Sequence, residues 1–270
     1  MQKVLEINGE FTKVTGLTLN YNKCSSYATT SNKMHPLISG GYKLPVTSVA
    51  KALGVSISVN ESAAESRAIR VKNAEQVADR LAFAPLPFEA RVQLTSSLIL
   101  PRGLYECTAA PMPPRLQQTF TNAVLRGILG NKRGRYCAEV VFTLLAPGHR
   151  VDPGQAVAYQ SLVTMQRVIR KRADLYHELC ATWLALSRPR AASDGPMQVV
   201  RDSLDLMGAE WVSPFVVKFE CGRRVDLVDL DPGEWSHLVR ESLRMATWRR
   251  AAERRPDMDG LERGVDREVS

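Results

Sequence analysis

Metal-binding and disulfide-forming side chains are sparse in this sequence. Its five cysteines, Cys24, Cys107, Cys137, Cys180 and Cys221, are odd in number and include no C-x-x-C pair. That scatter excludes a disulfide framework and the common thiolate zinc patterns. Reduced, mostly buried thiols in an intracellular protein, cytoplasmic or nuclear, are expected instead. His35, His149, His177 and His237 are isolated from one another. His149, in the turn APGHRVDP, is read as a hydrogen-bonded turn residue rather than a ligand. No run of 18 apolar residues occurs, so no membrane span or membrane partner is expected. The opening MQKVLEINGEF carries Glu6 and Glu10 inside its apolar pattern and lacks a small-residue cleavage site, which argues against a signal peptide. Aromatics make up 7% of the chain, and Trp211, Trp235 and Trp248 are read as core anchors.

What the sequence has is enough apolar content, 44% over 270 residues, to build a substantial core. It also has a concentrated charge. Between Arg115 and Arg172 lie ten basic residues and two acids, Glu139 and Asp152, so this segment accounts for the whole formal net charge of +8. A basic stretch of that density is the electrostatic footprint of a polyanion-binding surface, with a plain solvated face as the alternative.

Periodicity predicts a mixed chain that is predominantly α. Residues 1–15 read as a helix and 17–29 as a strand, followed by the turn-rich SGGYKLP. In KALGVSISV, Leu53, Val55, Ile57 and Val59 alternate with small residues, the pattern of a strand with one buried face. A helix follows, with Ser62 and Glu65 at capping-box spacing and Ile69, Ala74, Val77, Ala78 and Leu81 on one face. LPFEARVQLTSSLILPRG predicts a helix stopped by Pro101. PPRLQQTFTNAVLRGILG predicts another, with a Leu116, Phe120, Val124, Ile128 stripe and Gly130 at its end. RYCAEVVFTLLAPG predicts a fourth, and Asp152-Pro153 starts a long one running to Leu186. RPRAASDGP (188–196) reads as a linker. Beyond it come a short helix, a hairpin of FVVKFE and VDLVDL around CGRR, and an amphipathic helix bearing Trp235, Leu238, Leu243 and Trp248.

The order of short motifs adds a family expectation. G-L-x-x-N-x-x-K (16–23) precedes L-G-V-x-I (53–57), then R-L-x-x-x-P-L-P, P-R-G-L-Y-E-C (101–107) and L-L-x-P-G-H-R-x-D-P (144–153). Over roughly residues 1–190 this series resembles the C-terminal half of the polymerase region of a non-LTR (LINE-type) retrotransposon reverse transcriptase. The resemblance implies a small antiparallel palm and primer-grip sheet followed by a helical thumb-like bundle; with the small C-terminal α/β element read from periodicity, the expected fold is α+β and predominantly α. The resemblance implies a partial palm with a primer-grip hairpin over 1–61 and a thumb and connection region over 62–187; the helix-hairpin-helix extension over 196–270 lies outside the resemblance and is read from periodicity alone. Ala52 stands where the family usually has an aromatic residue, and Cys24 replaces the usual Thr.

By the same resemblance, Lys23 approaches the phosphates of an incoming nucleotide, and Leu53, Gly54 and Val55 form the primer grip. Arg126, Lys132, Arg133, Arg135, Arg167, Arg170, Lys171 and Arg172 are candidate phosphate contacts, which confer affinity without sequence choice. The family's metal-binding aspartates lie upstream of the segment matched here, and no Asp-Asp pair occurs in this chain. Polymerase chemistry needs such carboxylates to hold two metal ions. The expectation is therefore a piece of a longer polyprotein that binds template–primer duplex, needs no cofactor of its own, and is inactive alone, with Mg²⁺ required only by the full-length polymerase. The alternatives are a non-catalytic helical nucleic-acid-binding or scaffolding protein and, more remotely, an enzyme built on Asp226, Asp229 and Asp231.

Overall fold

In the computed structural model the described residues are 10, 13–16, 20, 38–39, 42–46, 49–52, 55–58, 64–130, 136–186, 195–254 and 260. The chain divides into two compact units, residues 1–66 and 67–270.

The first unit contains two antiparallel hairpins. β1 (Ile38–Ser39) pairs with β2 (Tyr42–Lys43), and β3 (Val49–Ala52) pairs with β4 (Val55–Ser58). The alternating stretch expected as one strand is therefore two. Ala52 faces Val55 in the register. The expected strand over 17–29 lies outside the described residues apart from Asn20.

The second unit is mostly helical with one small sheet. α1 (Ala64–Phe83) buries Val71, Ala74, Ala78 and Leu81. Ile69, expected on that face, is 55% exposed; five residues before Ala74, it points about 140° away. α2 (Phe88–Leu94) continues without a break through a π-helical turn, Thr95–Ile99, into α3 (Leu100–Leu104). Pro101 does not stop this helix as expected. The Leu100 N–H donates to the Thr95 carbonyl, five residues back rather than four. The widened turn ahead of the proline moves the carbonyl row that its ring would otherwise strike.

α4 (Pro114–Leu129) behaves as its stripe predicts, with Phe120, Val124 and Ile128 fully buried and Leu116 packed beside them. α5 (Ala138–Val140) runs into a second π-helical turn, Val141–Leu145, and α6 (Gly148–Val151) follows. α7 (Pro153–Lys171) starts at Asp152, whose Oδ1 accepts from the Gly154 N–H at 2.9 Å. The long helix expected to reach Leu186 breaks at Arg172. A 3₁₀ turn, Ala173–Leu175, then leads to α8 (Tyr176–Leu186).

Beyond the 188–196 stretch lie α9 (Pro196–Met207) and a three-stranded antiparallel meander of β5 (Glu210–Ser213), β6 (Val216–Lys218) and β7 (Arg224–Asp226). α10 (Pro232–Arg254) closes the unit. The expected hairpin is β6–β7; β5 is additional, short and bulged between Trp211 and Ser213. Among the described residues, no helix is long and apolar enough to cross a membrane.

Two apolar cores organise this unit. One gathers α1 to α6 around Phe120, Phe142, Ile99 and Ile128. The other joins α7 to α9, the meander and α10 around Leu162, Leu204, Leu227 and Trp235. Elements on both sides of residues 188–196 thus share one core. Trp235 is fully buried, and its indole N–H donates to the Leu162 carbonyl at 3.0 Å. Trp248 is buried as expected, while Trp211 is half-buried.

Candidate nucleic-acid interface

The basic residues expected to meet phosphate separate into distinct groups. Arg167, Arg170 and Lys171 all lie exposed at the C-terminal end of α7. Spacings of three and four put them on one side of the helix. Part of their placement is explained by the helix itself, because cations complement the negative end of its dipole. The end of α7 is tied to the turn before α10: Gln166 Nε2 and Arg170 Nη1 donate to the Leu230 carbonyl at 2.9 and 3.2 Å, so Arg170 is exposed but already engaged.

Two of the other candidates are committed within the protein. Arg172 Nε and Nη2 grip the Asp174 carboxylate at 2.8 and 2.7 Å. Those hydrogen bonds raise the Arg172 pKa and lower that of Asp174. Arg126, on α4, donates through Nε and Nη2 to Asp79 Oδ1 at 3.2 and 3.1 Å. Both members of that pair are 53% exposed, so the bond is of the weak surface kind that a phosphate can displace. Lys132, Arg133 and Arg135 lie outside the described residues, as do Lys23, Leu53 and Gly54; Val55 opens β4.

The basic tail helix α10 is neutralised more thoroughly. Arg249 pairs with Glu220, Arg254 with Glu139 at 2.5 Å, and Arg244 with Glu241 at 2.5 Å. Burial opposes ionisation of Glu139. A backbone N–H, the Cys137 thiol and the charges of Arg254 and Arg250 outweigh it, and the pKa falls below the usual carboxylate value.

The L-L-x-P-G-H-R-x-D-P stretch forms a mechanical joint. Gly148 is required by close approach, since a Cβ there would lie 2.5 Å from the Phe142 carbonyl oxygen. His149 belongs to α6 rather than to a loose turn, and its half-buried ring rests against Tyr159 at 5.4 Å. Burial, then the charges of Arg150 and Arg240, hold its pKa below the ordinary histidine value. The Tyr159 hydroxyl reaches Ser236 Oγ at 2.7 Å. Asp152 Oδ2 accepts from Gln155 Nε2 at 3.1 Å, and Gln155 continues to Thr247 Oγ1 at 3.2 Å. Burial raises the Asp152 pKa, against the opposing pull of Gly154, Gln155 and Arg250.

The acidic cluster near the C-terminus is occupied structurally. Asp226 Oδ1 accepts from the Val228 N–H at 2.8 Å, and Asp231 Oδ1 caps α10 through Gly233 and Glu234 at 2.7 and 3.2 Å. Among the described residues, no group of three or more His, Cys, Asp and Glu is placed to hold a metal ion. The described cysteines are free. Only Cys107 is buried, Cys137 and Cys180 are half-buried, and Cys221 is exposed, so the expectation of mostly buried thiols does not hold. Burial pushes the Cys107 thiol up to about 11, which leaves it unreactive.

A second polar site was not singled out by sequence reasoning. Arg70, Asn73, Pro101, Arg102 and Tyr105 line a cleft of about 340 Å³. Its sequence signal was the pair of Arg102 and Tyr105 inside P-R-G-L-Y-E-C. No family model, curated protein or solved structure matches this chain.

Proposed function

We propose that the chain is the thumb-side part of a LINE-type reverse transcriptase and serves to bind template–primer nucleic acid, without carrying out polymerisation itself. The motif series from Gly16 to Pro153 supports the family, and the exposed Arg167, Arg170 and Lys171 on one side of α7 carry the binding reading. Three cations within five residues neutralise successive phosphates at the cost of no new structure. Arg126 adds a fourth cation held by a displaceable surface pair.

The test is fluorescence anisotropy of a labelled RNA–DNA template–primer titrated with the whole chain across a series of KCl concentrations. Binding that weakens steeply with salt, and that weakens further when the three α7 cations become Gln, agrees with the proposal. Salt-independent binding, or none at low salt, overturns it.

A further inference from the structure

We infer that the cleft formed by Arg70, Asn73, Arg102 and Tyr105 is a subsite for one unpaired nucleotide of a single-stranded nucleic acid. The inference rests on the nucleic-acid reading above but uses a different surface, on α1 and α3. Tyr105 keeps 41% of its surface open. The Arg70 guanidinium carbon sits 4.7 Å from the centre of its ring. Arg102 and Asn73 line the same cleft and are exposed.

The arrangement is built, not incidental. Arg70 Nη2 donates to Glu106 Oε1 at 3.0 Å, and the Glu106 side chain is only 2% exposed. Glu106 adopts φ 79°, a left-handed conformation that strains an L-residue's backbone. That turn points the carboxylate inward and leaves Tyr105, its neighbour, at the surface. Beneath them Gly103 is pressed against Phe120, where a Cβ would come within 2.3 Å of the ring. The backbone that presents Arg102 and Tyr105 is thus locked onto the core.

The chemistry of the lining selects the occupant. Among the described residues, Arg70 and Arg102 bring two cations to the cleft, and Arg70 is engaged by Glu106. A phosphate suits the exposed Arg102; Arg70 lies over one face of the Tyr105 ring, and a base can stack on the other. A duplex cannot use that surface, because its bases are already stacked on one another. The cleft volume falls within the range of small-ligand sites, which suits one nucleotide. An anionic lipid headgroup would use the arginines and leave the tyrosine idle.

The experiment compares the whole chain with Tyr105→Ala, Tyr105→Phe and Arg102→Gln. Probes are a fluorescein-labelled single-stranded RNA and the same strand annealed to complementary DNA. Tyr105→Ala should weaken single-strand binding about 5- to 150-fold, the range for losing one stacked base. Tyr105→Phe should retain it, Arg102→Gln should weaken it, and duplex binding should change little in all three. A 4-thiouridine probe should crosslink within residues 101–107. Free AMP should compete only weakly; displacement at concentrations equal to the RNA strand would reassign the cleft to mononucleotides and overturn the strand reading. Unchanged single-strand affinity in Tyr105→Ala, with helical circular dichroism intact, overturns the subsite while salt-sensitive duplex binding keeps the broader function. Loss of all nucleic-acid binding by the unmodified chain overturns both.

Discussion

Gln155 Nε2 donates to Thr247 Oγ1 at 3.2 Å, tying the start of α7 to the later turns of α10 across 92 residues of sequence. Both side chains are buried, at 3% and 2% exposure. The same hydroxyl accepts from Arg250 Nη2 at 3.0 Å and donates to the Leu243 carbonyl at 2.9 Å. Thr247→Val keeps the shape and removes the acceptor. One N–H of the buried Gln155 amide and one of the half-buried Arg250 guanidinium then lose their acceptor, which costs about 1–3 kcal/mol. A domain of this size loses about 2–4 °C of melting temperature per kcal/mol, so a drop of several degrees is expected. Thr247→Ser should restore most of it. A Thr247→Val protein that melts no earlier than the parent would show that the joint carries no stability.

The cap at Asp152 is the second half of that joint. Asp152→Ala removes the acceptor for the Gly154 N–H and for Gln155 Nε2 together. Loss of a cap costs about 1 kcal/mol, and the lost Gln155 hydrogen bond adds to it. The combined effect should exceed that of Thr247→Ser in a urea melt. In the double variant Asp152→Ala, Thr247→Val, Gln155 Nε2 loses both acceptors, one to each substitution, so the losses should not simply add.

The helices were legible where one periodic stripe faced one core. Phe120, Val124 and Ile128 announced α4, and Asp152-Pro153 announced the first turn of α7. The legible signals failed where the backbone departed from regular repeats. Pro101 reads as a stop only if the preceding turn is α-helical, and nothing in TSSLI marks the shift to a π turn. The break at Arg172 is equally silent, since KRADLYHEL has no helix breaker; the Arg172–Asp174 clasp that accompanies it is visible only in three dimensions. β5 is four residues and bulged, too short for alternation to show. At the candidate interface, sequence located the cations but not their partners. Asp79 lies 47 positions from Arg126, and such long-range neutralisation leaves no local trace. The Tyr105 cleft was hidden for the same reason, because Arg70 and Glu106 meet across 36 residues.

The pairing pattern sets the expected salt dependence of duplex binding. Each phosphate contact contributes a slope of about −0.9 in log K against log[salt] on duplex DNA. Changing Arg167, Arg170 and Lys171 together to Gln should reduce the magnitude of the slope by up to about 3 and weaken all sequences alike. Arg249→Gln and Arg254→Gln should leave the slope nearly unchanged, because Glu220 and Glu139 already neutralise those two arginines. The reverse ranking would place the binding face on α10.

Polymerisation by the pure chain is not expected. Two-metal phosphoryl transfer needs carboxylates clustered on the ions, and Asp226 and Asp231 are occupied as turn and helix caps. Primer extension on an RNA template with Mg²⁺ or Mn²⁺ should yield no product above a no-protein control. Robust incorporation that survives Asp226→Asn and Asp231→Asn would require a catalytic centre elsewhere in the chain and would refute the non-catalytic reading.

Stability should vary with pH through His149. Burial, with the charges of Arg150 and Arg240, depresses its folded pKa below the ordinary value of 6.5. As pH falls, the unfolded chain takes up this proton first, so the unfolded state binds more protons and stability declines from about pH 6.5 downward until the folded histidine is also protonated. Asp152 acts in the opposite sense. Its folded pKa is raised above 3.8 by burial, so its contribution is present at low pH and is lost as pH rises through that higher value. Removing His149 alone leaves the Asp152 contribution in place, so the difference between parent and variant isolates the histidine. His149→Phe keeps an aromatic ring against Tyr159 and removes the titrating group. Urea midpoints measured from pH 7.5 to 5 should fall with acidification in the parent and fall less steeply in His149→Phe. Parallel profiles for the two proteins would mean that His149 does not resist protonation in the folded state, and that its packing against Tyr159 leaves the ring open to water.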